Sequence, residues 1–199
     1  VPFRGEEKSA IAKYPAEGPV AVGPLGLGGD EQADLVNHGG VDKAINHYPR
    51  DHYIAWHHEL GGHPLLTAPG AFGENISTTG LLETDVCIGD RFRLGTALVE
   101  ISQGRQPCWK IDHKFQVKGV TARVLQTCRS GWYYRVIEPG EVRAGDALER
   151  VAHGPGGWSV DTVFRLLFHK GGNKSALREL AELDVLNEEW RARAAMLVG

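Results

Sequence analysis

The 199-residue chain is 42% hydrophobic, 24% charged and 8% aromatic, a globular composition with length for one or two small domains, which excludes disorder as the main state. Lys plus Arg number 22 against 25 Asp plus Glu, a formal charge of -3, so the basic surplus of a phosphate-tracking nucleic-acid binder is absent and only a local basic pocket is left open. No apolar run approaches the roughly 18 to 20 residues of a membrane span, no apolar signal core opens the chain, and three cysteines (Cys87, Cys108, Cys128) are too few and odd in number for a disulfide framework, so a cytoplasmic protein with reduced thiols is expected.

Glycines cut the first 150 residues into many short elements. The first segment with chemistry is Asn37-His38-Gly39-Gly40-Val41-Asp42-Lys43-Ala44, followed by His47. Two glycines let backbone N–H groups approach an anion and Lys43 adds a point charge. A phosphate cradle and a plain surface turn both fit. Pro49 suits the first turn of a helix over 49–60, with Tyr53, Trp56, His57 and Leu60 on one face and Gly61-Gly62 as its stop. In the segment 69–77, glycines permit special backbone angles while Glu74 and Asn75 can orient a heterocycle by hydrogen bonds; a plain Gly-rich loop fits equally.

Period-two alternation on both sides of Gly95-Thr96 predicts a hairpin of Arg91–Leu94 with residues 97–101. It leads into Ser102-Gln103-Gly104-Arg105-Gln106-Pro107-Cys108-Trp109-Lys110. Arg105 and Lys110 flank Cys108, and nearby cations favour the thiolate, which is a nucleophile or a soft-metal ligand; an inert buried thiol is the alternative. Cys87 and Cys128 sit in apolar patterns and read as core. Asp112 and His113 close behind Cys108 leave a Cys/His nucleophile open. Among nine histidines, the spacings of His47, His52, His57 and His58 do not stack on one helical face, and neither a Cys pair nor H-E-x-x-H appears, which argues against zinc.

Val117, Val120, Val124 and Cys128 recur at helical spacing and predict a helix over 117–128. Strands are predicted at 132–137, where Trp132, Tyr134 and Val136 share a face before Pro139-Gly140, and at 147–151. Residues 1–152 then read as one domain, 153–157 as a Pro/Gly linker and 158–199 as a three-helix extension. Its first helix carries Val160, Val163, Phe164, Leu167 and Phe168 at helical spacing up to Gly171-Gly172, its second covers 177–183, and its third starts at Glu188 after an Asn187 cap. A trio this small needs apolar partners, either the rest of the chain or a second subunit in a homodimer. Its six Lys plus Arg balance six Asp plus Glu, which argues against a DNA-binding helix-turn-helix.

Four ordered motifs, VNHGGVDKAINHYP, APGAFGENIST, EISQGRQPCWK and TCRSGWYYRVIEPGEVRAGD, make residues 9–152 resemble the MOSC-domain proteins of the YiiM type, and the tail resembles the three-helix extension of that subgroup. The resemblance implies a mostly β fold with some α, a MOSC-type β-barrel core whose first strand lies upstream of Val1, and a small C-terminal three-helix domain. It implies a molybdenum cofactor (molybdopterin) in a cationic pocket, with Cys108 as the metal ligand. His38, Gly39, Gly40, Lys43 and His47 would form one wall, Gly73, Glu74 and Asn75 another, and Ser102, Gln103 and Arg105 would lead into Cys108. Emptied, such a pocket would take phosphate or sulfate. The implied activity is reduction of N-hydroxylated compounds such as 6-hydroxylaminopurine to amines, a detoxification, with His38, His47 and His113 as candidate proton donors. The sequence has no G-x-G-x-x-G or flavin signature, so a flavoprotein reductase is the expected electron donor. The competing reading is a non-catalytic carrier of molybdenum cofactor or sulfur that uses the same cysteine.

Overall fold

The alternation around Gly95-Thr96 folds into a hairpin, β6 (Arg91–Leu94) and β7 (Ala97–Gly104), with Leu94 opposite Ala97. In this computed structural model, residues 2–4, 7, 8, 11, 13–30 and 39–199 are described. Before the hairpin come β1 (Pro2–Arg4), β2 (Glu7–Lys8), β3 (Val20–Gly23), β4 (Gly26–Leu27), β5 (Ile45–His47) and α1 (His52–Glu59). After it come α2 (Lys110–Phe115), α3 (Val120–Thr127), β8 (Trp132–Glu138), β9 (Gly140–Val142) and β10 (Leu148–Ala152). The tail holds α4 (Val160–Phe168), α5 (Lys174–Ala181) and α6 (Glu188–Val198).

All eight residues of β7 are buried, as suits a central strand covered on both faces. The sheet around it is antiparallel, in the order β10-β6-β7-β8-β5, and a second sheet runs β4-β3-β9. Pro139 separates β8 from β9; lacking an N–H, it ends the ladder, and the chain crosses from one sheet to the other there. The closed barrel implied by the resemblance is therefore not formed among the described residues. β10 and β5 are outer strands that do not pair, and the architecture is mixed α/β, antiparallel sheets plus C-terminal helices, not a mostly β barrel.

One face of the large sheet meets the tail. Ile45, Phe92, Ile101, Trp132 and Tyr134 share a single apolar cluster with Val160, Val163, Phe164, Leu167, Leu177, Leu180 and Trp190. The tail helices are capped as their sequences indicate, Ser159 Oγ accepting from the Thr162 amide (3.1 Å) and Asn187 Oδ1 from the Glu189 amide (2.9 Å). Contact is close enough that a Cβ on Gly104 would lie 2.8 Å from the Trp190 ring. A second cluster holds Tyr48, Tyr53, Trp56, Phe72, Ile111, Phe115, Val120 and Val124.

Three helical expectations shift. α1 starts at His52 and leaves His57 exposed. The helix predicted over 117–128 shortens to α3, which starts only after Gly119 (φ 94°) and ends at Cys128 (φ 59°), a left-handed cap, while α2, closed by Gln116 (φ 51°), is an additional helix before it. α5 starts at Lys174, with Asn173 Oδ1 accepting from the Ser175 amide (2.8 Å). No helix among the described residues is long and apolar enough to cross a membrane.

Candidate functional site

Asn46 on β5 and Gln103 on β7 both lie opposite Tyr133 on β8, so the three side chains leave one face of the sheet, the face away from Ile45 and Tyr134. Both amides are buried, and neither Asn46 Oδ1 nor Gln103 Oε1 has a hydrogen-bond partner among the described residues. A buried acceptor left unsatisfied costs on the order of 1–3 kcal/mol. Two of them on one sheet face are suited to receive the N–H donors of a heterocycle.

The loop 70–75 walls this row. Buried Glu74 accepts from the amides of Gly70 (2.8 Å) and Phe72 (3.0 Å) and from the Tyr53 hydroxyl, which folds the loop around its carboxylate. Burial, reinforced by the Glu74 charge, pushes the Tyr53 hydroxyl well up and keeps it a donor. Asn75 Oδ1 accepts from the Asn46 amide (2.9 Å), Asn75 Nδ2 donates to Asp30 (2.6 Å), and Asn46 Nδ2 donates to the Gly73 carbonyl (3.3 Å). Gly73 (φ 79°) admits Ile11 so closely that a Cβ would stand 2.7 Å from its side chain.

Cations complete the wall. Arg105 is 7% exposed and its guanidinium makes no hydrogen bond or ion pair among the described residues, while its amide donates to the Gly131 carbonyl (3.0 Å). Lys114 donates to the carbonyls of Ile11 (2.8 Å) and Gly70. Burial pulls Lys114 down to about 8, with Arg105 and Lys13 repelling its charge and Glu74 opposing them. Lys13 is paired with Asp30. Buried or half-buried cations that repel one another, one of them a guanidinium with no partner among the described residues, are the kind of group that suits an anion.

Cys108 stands three residues beyond Arg105, half-buried, its carbonyl accepting from the Ile111 amide (3.1 Å) and Thr121 Oγ1 (3.2 Å). Asp112 is committed to the α2–α3 junction, accepting from the amides of Thr121 (2.6 Å) and Gly119 (2.8 Å), so it does not serve as the third member of a Cys/His nucleophile. No group of three or more His, Cys, Asp or Glu able to hold a metal occurs among the described residues. Burial pushes the Cys87 thiol up and that of Cys128 to about 11, which disfavours a thiolate at either position.

The other residues singled out from sequence are dispersed. His47 is fully buried on the apolar face, with Nδ1 3.0 Å from the Tyr134 hydroxyl, Nε2 2.9 Å from Thr78 Oγ1 and its ring 4.3 Å from that of Trp132. Burial lowers it to about 3, so it is a neutral core imidazole. Gly39 and Gly40 precede a 3-10 turn, Val41–Lys43, whose Lys43 pairs with Glu189 of α6 (2.9 Å). Ser102 Oγ donates to the Asp42 carbonyl (2.5 Å), fixing that turn to β7, and the Ser102 carbonyl accepts from the Asn187 amide (3.0 Å). His113 is half-buried beside Trp109, and His38 lies outside the described residues. Asn46, Lys114 and Lys13 were not anticipated. Lys114 had one signal, its place four residues after Lys110, but α2 itself was not predicted.

The MOSC domain family model matches residues 34–149 and that of the YiiM-like, 3-alpha helix domain matches 158–195. The chain is 45% identical to Bacillus subtilis (strain 168) YflK over 93% of this chain and 82% of that protein, and 46% identical to Escherichia coli (strain K12) YiiM over 72% and 64%. It is 37% identical over 90% of its length to a Gibberella moniliformis protein named Reductase, of which it spans 32%. Among solved structures, YiiM of Geobacillus stearothermophilus superposes with a TM-score of 0.84 (36% identity, 95% of this chain, 89% of that one). YiiM of Escherichia coli gives 0.81 (34% identity, 92% and 86%).

Proposed function

Because the chain belongs to the MOSC-domain family, in its branch with a YiiM-like three-helix domain, we propose that it is a molybdenum-cofactor-dependent oxidoreductase that reduces N-hydroxylated bases such as 6-hydroxylaminopurine to amines. The observation that carries this reading is one half-buried thiol, Cys108, in the segment that follows β7 and three residues beyond the buried Arg105, with two buried amide oxygens, Asn46 Oδ1 and Gln103 Oε1, that have no partner among the described residues. That set fits the cofactor. A lone thiolate suits a soft metal that brings its other ligands with it, Arg105 with Lys114 suits the pterin phosphate, and Asn46 Oδ1 with Gln103 Oε1 suits heterocycle N–H groups.

When bound, the cofactor supplies the two electrons of the reaction R–NHOH + 2e⁻ + 2H⁺ → R–NH₂ + H₂O. The protein's part is to bind, orient and protonate. Cys108 supplies the protein thiolate. Glu74 holds the 70–75 loop in shape and to Tyr53 of α1, and Asn75 ties that loop to Asn46 on β5. Of the candidate proton donors, His113, on the same helix as Lys114, is the one assigned to protonate the leaving hydroxyl, because His47 is neutral in the core. Electrons arrive from a separate flavoprotein reductase. Metal-loaded protein should therefore turn over an N-hydroxylated base with a reduced viologen dye and give nothing with NADH alone; equal turnover with NADH alone contradicts the need for a partner.

A further inference from the structure

The proposed reaction leaves open what holds the substrate's ring, and α2 presents a group for it. At about 100° per residue, Trp109 and His113 fall on one stripe of α2, roughly opposite Ile111 and Phe115, which are buried in the second apolar cluster. Lys110 and Lys114 occupy the intervening stripe, and Lys114 reaches the 70–75 loop and the surroundings of Arg105 and Glu74. The aromatic stripe therefore borders the cationic wall along the helix and begins at the residue after Cys108. Trp109 is 46% exposed, whereas Trp56, Trp132 and Trp190 are at most 3% exposed. Its ring meets that of His113 edge-on, with centroids 6.3 Å apart.

Trp109 thus presents a large, half-exposed indole next in sequence to Cys108. It is well suited to a planar, electron-poor ring, because every nucleobase has a π-face and stacks on aromatic side chains with little demand on hydrogen bonding. We propose that Trp109 is the stacking platform for the substrate's heteroaromatic ring, so that this site favours planar N-hydroxylated bases over flexible aliphatic N-hydroxy compounds. The inference rests on the function proposed above and adds the residue that selects among its substrates.

The test uses full-length, metal-loaded wild type, Trp109→Leu and Trp109→Phe. Leu keeps apolar volume but has no π-face, and Phe keeps one. Base–aromatic stacking energies correspond to roughly 5- to 150-fold in affinity, so Trp109→Leu should raise KM for 6-hydroxylaminopurine about tenfold or more, leave KM for acetamidoxime within about twofold, and leave kcat for both nearly unchanged. Trp109→Phe should restore most of the purine KM. Independently of turnover, adenine titrated into wild type should quench the exposed indole's fluorescence, and Trp109→Leu should lose that quench and bind adenine more weakly in equilibrium dialysis. Equal adenine affinity in wild type and Trp109→Leu overturns the stacking role, as does a parallel loss for both substrates. Wild type that binds adenine with a Trp109-dependent quench but reduces neither substrate upholds the platform and refutes the reductase activity instead.

Discussion

Lowering the pH should destabilise this protein through His47, by an amount its surroundings set. The ring is fully buried between Tyr134, Thr78 and Trp132, and its pKa falls from 6.5 to about 3. Between those values the unfolded chain binds a proton that the native protein does not. Stability therefore rises with pH across the window and is lost as pH falls below 6.5. Each unit is worth about 1.4 kcal/mol, so moving from pH 6.5 to 5 costs about 2 kcal/mol, and the full descent to pH 3 about 5 kcal/mol. Urea unfolding followed by tryptophan fluorescence at pH 7, 6 and 5, for wild type and His47→Gln, isolates the effect. The variant loses the Trp132 contact at every pH but no longer titrates. Contributions from groups the substitution does not touch cancel in the difference. The wild-type advantage should shrink by about 2 kcal/mol toward pH 5. A difference constant with pH would show that His47 is not a neutral core residue.

Gly104→Ala should cost about 1–3 kcal/mol, read as a lower Tm, because its Cβ would stand 2.8 Å from Trp190 and the tail must shift; an unchanged Tm contradicts the close seating of α6. Arg105→Gln should weaken binding of inorganic phosphate to the empty protein, measured by calorimetry at two salt concentrations, with the wild-type affinity falling at high salt; identical isotherms would remove Arg105 from the anion wall. Cys87→Ser and Cys128→Ser should alter thermal stability and leave molybdenum content as in wild type; metal loss in either would reopen the assignment of the ligand.

The hairpin and the tail helices were legible because their signals are local: alternation around Gly95-Thr96, helical spacing from Val160 to Phe168, and Asn or Ser caps. Strands β3, β4 and β5 have four, two and three residues, too few to show a period, so the second sheet was not visible. The barrel expectation failed on pairing, which residue patterns do not encode: Pro139 hands the chain from one sheet to another, and the outer strands do not meet. In the site, residue type and order pointed to Cys108, Arg105 and the Glu74-Asn75 loop, and the family resemblance added Gln103. Faces were harder. In Ile45-Asn46-His47 alternation puts His47 with Ile45 in the core and Asn46 on the pocket side, a period-two reading available only once β5 is known to be a strand. The convergence of Asn46 with Gln103 depends on the register of both strands on Tyr133, past the irregularity between Ile101 and Gln103, and so is a property of the fold.

The central claim is that Cys108 holds a redox-active molybdenum cofactor which reduces N-hydroxylated bases. Its most direct test is amine formation from 6-hydroxylaminopurine, followed by chromatography with a reduced dye, for loaded wild type, cofactor-free wild type and Cys108→Ser produced alongside, with molybdenum content and circular dichroism measured on each. Loaded wild type should form amine, while cofactor-free protein and a folded, molybdenum-depleted Cys108→Ser should not. Amine formation by Cys108→Ser at the wild-type rate, or none above background by fully loaded wild type, would contradict it.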